Sequence, residues 1–403
     1  MEERSLVFPA DEFRMRVARM QTEMSSRELD ALLLTTASDI FYLTGFLTRF
    51  WESPARPWYL IIPASGDPTA VIPSIGAALM ERTWISRIRT WDAPNPHDDG
   101  VSLLVDTICA LLPQKARIGV PQGLETHLRM PLADFDQVAN GIAPRTFVDG
   151  TAPVQRVREI KSNAEVEKIR MSCDIAGRAF SRVPEFAGVG RPLDAVFRDF
   201  QVALLQEGAD WVSYVAGGAG PNGYENVISP AGPEPLGPDD VLMLDTGCVR
   251  DGYFCDFDRN FLLGCTTEAV RQTHAALWHA IEDALGALRP GMEARDGHRI
   301  LSEALIKRGA TPGGGRLGHG LGVTLTEWPS FTPLDTTELR EGMVLTLEPS
   351  AYVESGRMLV LEENLVLRSN GPELLSRRAP VDPMVSSTRR TTRPSVAAST
   401  SLS

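Results

Sequence analysis

Four segments in the second half of the chain carry acids or a histidine in settings that an ordinary core does not explain. The first is LDTGCVRDGYFCDFDRNF, where Asp245 ends an apolar run, Asp251-Gly252 marks a turn and Asp256 lies on the returning run. A hairpin sets its strand ends side by side, so two carboxylates there repel unless a positive charge lies between them. A cation is the economical answer. The second is GGGRLGHGLG, whose glycines on both sides of His319 allow close backbone approach and leave the imidazole exposed to a site. In the third, EGMVLTLEPSAY, Glu348 closes an otherwise apolar strand candidate. The fourth, RMLVLEENLVL, embeds Glu362 and Glu363 in a hydrophobic run; carboxylates are seldom buried unpartnered. Strand alternation puts only one of that pair inward, with Glu363 as the solvent-side neighbour. Taken singly, each has a plain reading: an Asp that forms a turn, a His in a loop, or a DxD at 256–258 of the kind chance produces. The GGG run at 313–315 lacks the Lys and Ser/Thr of a phosphate loop.

The elements that must position these residues form two units. A first helix is expected from about Asp11, with Phe13, Val17, Met20 and Met24 at helical spacing. Short apolar runs at 31–36, 58–63, 69–73 and 117–121 have strand character, making residues 1–150 an α/β unit. A break is expected near VDGTAPVQRVREIKS. After it, Ser162 and Glu165 have the form of a capping box, continued by Val166, Ile169 and Cys173 on one apolar face. The second unit, residues 155–380, holds helices near 191–207 and 268–288, the second stopped by Pro290-Gly291. It also holds the hairpin and the strands GMVLTLEP and RMLVLEENLVL. The Ser-, Thr- and Arg-rich segment 381–403 is expected to be a disordered tail.

Composition narrows the function. The net charge is -12, with no basic run before the final segment, so nucleic acid is not expected as a partner. No apolar run approaches the ~18 residues of a membrane span, and the acidic start lacks a signal layout. Cys109, Cys173, Cys248, Cys255 and Cys265 are odd in number and without CxxC spacing, which reads as free thiols in a cytoplasmic protein.

The order and spacing of Asp245, Asp256, His319, Glu348 and Glu362 resemble the M24 metallopeptidase family, the pita-bread group that includes methionine aminopeptidase, aminopeptidase P, prolidase and creatinase. The neighbours DTG-x-x-x-x-GY-x-x-D, Arg259, HGLG, EGMVLTLEP and GPELLS belong to the same likeness. It covers about residues 155–380, and FYLTGF extends it to the amino-terminal domain of the prolidase and creatinase branch. The resemblance implies an α/β (α+β) fold, with a creatinase-like amino-terminal domain before a pita-bread catalytic domain. It implies two divalent metal ions: Asp245 chelates one, His319 and Glu348 hold the second, and Asp256 and Glu362 bridge. Four carboxylates and an imidazole make a hard donor set that suits Mn²⁺, Fe²⁺ or Co²⁺ at least as well as Zn²⁺, with manganese favoured. Glu348 would then act as general base and acid, His319 would complete the catalytic pair, and Arg259 would pair with a ligand carboxylate. A homodimer is implied as well.

Two family histidines are missing. The position seven after His319 is Thr326, and the upstream stretch GGAGPNGYENVISP holds none, leaving Glu225, Tyr224 and Asn226 as its nearest polar groups. Thr donates a hydrogen bond but carries no charge. The aromatic and cationic stretch FLTRFWESPARPWYL adds Trp51 and Arg56 as candidate substrate contacts. The leading expectation is therefore a dinuclear hydrolase of the Xaa-Pro peptidase type acting on a dipeptide or short peptide. The alternative is a non-peptidase on the same fold: creatinase- or ectoine-hydrolase-like C–N hydrolysis, or a lyase, of a small zwitterion. A metal-free binding module is a third, and the presence of all five ligand types weighs against it.

Overall fold

The computed structural model describes residues 7–53 and 55–386. Helix Ala10–Ser25 opens it, burying Phe13, Val17, Met20 and Met24 as their spacing demands. Six strands follow: β1 (Ala31–Leu34), β2 (Tyr59–Pro63), β3 (Thr69–Pro73), β4 (Arg87–Trp91), β5 (Arg117–Val120) and β6 (Thr146–Asp149). They form one mixed sheet in the order β4-β3-β2-β1-β5-β6. Helices Val101–Leu111 and Leu132–Gly141 bury their apolar faces with one side of it. The fold is thus the expected α/β mixture.

Where a break was expected, the chain forms helix Thr151–Arg158. Its buried Val154 and Val157 join an apolar cluster running from Phe8 through both halves of the chain to Leu375. Helix Asn163–Arg182 then starts on the anticipated capping box, with both the Ser162 and Glu165 side-chain bonds made.

The second half carries β7 (Trp211–Pro221), β8 (Asp240–Arg250), β9 (Tyr253–Phe254), β10 (Phe257–Leu262), β11 (Thr311–Pro312), β12 (His319–Gly320), β13 (Glu327–Ser330), β14 (Val344–Leu347), β15 (Ser350–Glu354), β16 (Arg357–Val360), β17 (Glu363–Arg368), β18 (Gly371–Leu374) and β19 (Met384–Val385). Two sheets matter for the site: β19-β10-β8-β7, and β13-β12-β14-β17-β18. Asp251 and Gly252 both take positive φ, 52° and 81°, and so close the β8–β9 hairpin as a right-twisting two-residue turn. Helices Leu193–Gln206, Glu268–Ala287 and Ala294–Lys307 complete this half. Because β19 pairs with Phe261 and Leu262 of β10, the expected tail does not begin at 381. Its remainder, residues 387–403, lies outside the described residues.

Candidate metal centre

The register of β8 against β10 sets Asp245 opposite Asp258 and Thr246 opposite Phe257. Two-residue alternation puts Asp256, Asp258 and Asn260 on one face and Phe257, Arg259 and Phe261 on the other. The two phenylalanines enter the core, and this anchors the acids on the opposite face. From the second sheet come His319 on β12, Glu348 just after β14, and Glu362 just before β17. All five expected ligands line one cavity of about 510 Å³, together with Asp258, Tyr214, Arg316 and Thr326.

Asp256, His319 and Glu362 each offer a ligand atom within 4.8 Å of one another. His319 is buried from bulk solvent and its imidazole lines the cavity. A Cβ on Gly318 would strike the Thr346 carbonyl and one on Gly320 the Trp328 carbonyl, so the glycines serve close strand packing. The His319 Nδ1 lies 2.8 Å from the Gly320 carbonyl, which can only accept, so Nδ1 carries the proton. Nε2 then faces Asp256 Oδ2 at 3.3 Å and Glu348 Oε2 at 3.5 Å. Tyr214 donates its hydroxyl to Asp256 Oδ1 and, at 3.2 Å, to Asp245 Oδ2.

Asp245 Oδ1, Asp258 Oδ2 and Glu362 Oε1 are buried and have no hydrogen-bond donor. Burial pushes the Asp245 carboxyl well up, with Asp256 and Asp258 adding repulsion. Glu362 rises for the same reason, burial first and then its acidic neighbours. Asp258 is raised to about 7 by burial, against the pull of Arg259. Burial would lower His319, but Glu348 and Asp256 carry it up to about 10. Burial and mutual repulsion thus disfavour the charged forms of these acids, and divalent cations are partners that would favour them. Hard buried oxygens with unused lone pairs, plus one imidazole whose Nε2 faces them, fit such ions.

Other expectations shift. Glu363 is fully buried, not solvent-facing: Arg259, Arg378, Ser376 and the Ala379 amide all donate to it. Arg259 therefore pairs with Glu363 and the Glu362 carbonyl, not with a carboxylate of the cavity. Thr326 does line the cavity and accepts from Arg316 Nη2 at 3.3 Å. Glu225 is exposed and pairs with Arg357, while Tyr224 is buried and bonds Asn260. Trp51 lines a separate cavity of about 690 Å³, with Phe41, Phe46 and Arg49 from the amino-terminal half and Trp211 and Phe254 from the second. The Arg56 carbonyl accepts from Arg129, and its guanidinium lies over Phe50. Sequence reasoning passed over Tyr214 and Arg316. The irregularity between Val212 and Val215 hides which face of β7 Tyr214 takes, whereas an arginine three before His319 was legible as a cation near the site.

Comparison with known proteins decides the family. Residues 167–369 match metallopeptidase family M24, and residues 16–160 match the creatinase/prolidase N-terminal domain. The chain belongs to metallopeptidase family M24. This M24 member is accordingly a metal-dependent hydrolase. It is 27% identical over 371 residues to a probable dipeptidase, PepE, of Mycobacterium tuberculosis, covering 90% of this chain and 94% of that protein. The crystal structure of dipeptidase PepE from Mycobacterium ulcerans superposes with a TM-score of 0.80 at 27% identity, over 94% of this chain and 99% of that one. At 22% identity, X-Pro aminopeptidase from Thermotoga maritima shares the fold with a TM-score of 0.78, over 92% of this chain and 99% of that one. Among the described residues no helix is long and apolar enough to cross a membrane.

Proposed function

We propose that this chain is a dinuclear peptidase of the Xaa-Pro type, cleaving a dipeptide or short peptide in the cavity between the two sheets. The observation that carries the reading is the convergence of Asp245, Asp256, His319, Glu348 and Glu362 on one cavity, with buried oxygens that no donor satisfies. These five residues would hold two divalent ions, manganese favoured, which supply Lewis acidity at the scissile carbonyl and an activated water. Glu348, partly exposed on the cavity wall, accepts the proton of the attacking water and returns it to the leaving amine. The Gly320 carbonyl and Tyr214 orient His319 and the aspartates. Arg316 Nε reaches Glu348 Oε1 at 3.3 Å and brings the one guanidinium among the described cavity residues beside the proton-transfer group. Its fixed charge is suited to a developing oxyanion, beside the Thr326 hydroxyl. A homodimer in the cytoplasm completes the reading, and buried free Cys173, Cys248 and Cys255 suit a reducing compartment.

A second reading keeps the metals and changes the substrate. Among the described residues His319 is the one histidine of the cavity. Hydrolysis of a C–N bond in a small zwitterion, or a lyase reaction on one, would need no second imidazole.

The test is an Xaa-Pro dipeptide panel with manganese-loaded protein, run beside His319→Ala. Turnover that falls at least ~100-fold in the variant, with metal affinity down tenfold or more, is the expected result. Absence of turnover by wild type carrying about two ions per chain would refute the peptidase and favour the zwitterion.

A further inference from the structure

Asp258 stands outside the five-residue set, yet its surroundings single it out. Alternation along β10 places it on the same face as Asp256, and the register sets it directly across from Asp245. Cross-strand partners bring their Cβ atoms to ~4.5–5.5 Å, so two carboxylates there can share one ion. The Glu362 amide donates to Asp258 Oδ1 at 3.0 Å and so fixes the side chain from the second sheet. Asp258 Oδ2 is buried without a donor, as is Asp245 Oδ1 on the neighbouring strand, and both residues line the same cavity.

The adjacent guanidinium does not account for this carboxylate. Arg259 spends its hydrogen bonds on the carbonyls of Asp258, Glu362 and Arg377 and on the Glu363 side chain. An ionised, buried carboxylate with one oxygen left over is costly unless a cation takes it.

We infer that Asp258 is a further ligand of the metal centre, joining Asp245 on one ion through Oδ2. The inference rests on the metal-binding reading above and extends it. With Asp258 the cavity holds five carboxylates: Asp245, Asp256, Asp258, Glu348 and Glu362. That set, rich in oxygen and in charge, favours an ion of high coordination number such as Mn²⁺ over four-coordinate Zn²⁺. Arg316, paired with Glu348 at 3.3 Å, then offsets part of the surplus negative charge.

The test is titration of demetallated full-length protein with Mn²⁺ and, separately, Zn²⁺ by calorimetry, with bound metal counted by elemental analysis. Wild type, Asp258→Asn and Asp258→Ser are compared after circular dichroism confirms folding. Asn keeps the shape but removes the charge, and Ser removes the reach of the ligand oxygen as well. The expected result is two Mn²⁺ sites in wild type, one of them weakened tenfold or more in both variants, with a smaller loss for Zn²⁺. Wild-type Mn²⁺ affinity at both sites in Asp258→Asn would overturn the inference and leave the dinuclear centre standing. Should that variant not fold, Asp258→Ser decides by the same criterion. Wild type that takes up no Mn²⁺ would sink the dinuclear reading and this inference with it.

Discussion

Replacing Arg158 with Met removes the charge that ties Glu327 of β13 to Asp39 of the amino-terminal half while keeping most of the side-chain volume. Arg158 is buried, and its guanidinium donates to Asp39 Oδ1 at 2.8 Å, Thr324 Oγ1 at 2.8 Å and Glu327 Oε1 at 2.6 Å. Glu327 Oε2 takes Lys161 at 3.0 Å, and Oε1 also accepts the Val323 and Thr324 amides. Burial would raise the Glu327 carboxyl, but Arg158 and Lys161 hold it at about 2 against an ordinary 4.5. That difference corresponds to about 3 kcal/mol, in line with the ~3–5 kcal/mol cost of breaking a buried ion pair. Arg158→Met should therefore lose about 3–4 kcal/mol at pH 7 and melt roughly 4–5 °C lower by calorimetry. The sign with pH follows from a carboxyl whose pKa is lower folded than unfolded: its stabilisation is complete above about 4.5 and fades as pH falls toward 2. The gap between variant and wild type should narrow over that window. A loss under ~1 kcal/mol at pH 7, or a gap that stays constant down to pH 3, would refute the reasoning.

Two further predictions bear on the cavity. Tyr214→Phe removes the hydroxyl shared by Asp245 and Asp256, and should weaken Mn²⁺ binding about 10–100-fold by calorimetry with little change in melting of the metal-free protein. Arg316→Gln should lower kcat about 10²–10³-fold while bound metal, measured by elemental analysis, stays at the wild-type level; an unchanged kcat would remove Arg316 from the reaction.

Much of the site was legible because its residues break local rules. Glu348 and Glu362 flank apolar strands and Asp245 sits within one, β8; such placements are expensive without a counter-charge, so these acids stood out before any contact was known. The Asp251-Gly252 turn and the Ser162 capping box were equally local, since each depends on a few consecutive residues. Trp51, Arg56 and Glu225 drew notice for residue type alone. They sit elsewhere because type says nothing about which cavity a loop reaches.

The sequence by itself showed the α/β mixture and the hairpin turn, which are encoded in short-range periodicity, and it offered five candidate ligands through a spacing that resembles family M24. Only the tertiary structure decided which charges cancel. Glu363 looked like the solvent-side partner of Glu362, yet Arg259 and Arg378 neutralise it in the interior. Asp258 looked like half of a common DxD, yet register places it across from Asp245 with a bare oxygen. Near the boundary expected after residue 150 lies a helix whose last residue, Arg158, bonds groups 119 and 169 positions away. Electrostatic pairing acts across space, and separation along the chain carries almost no information about it until the strands are in register.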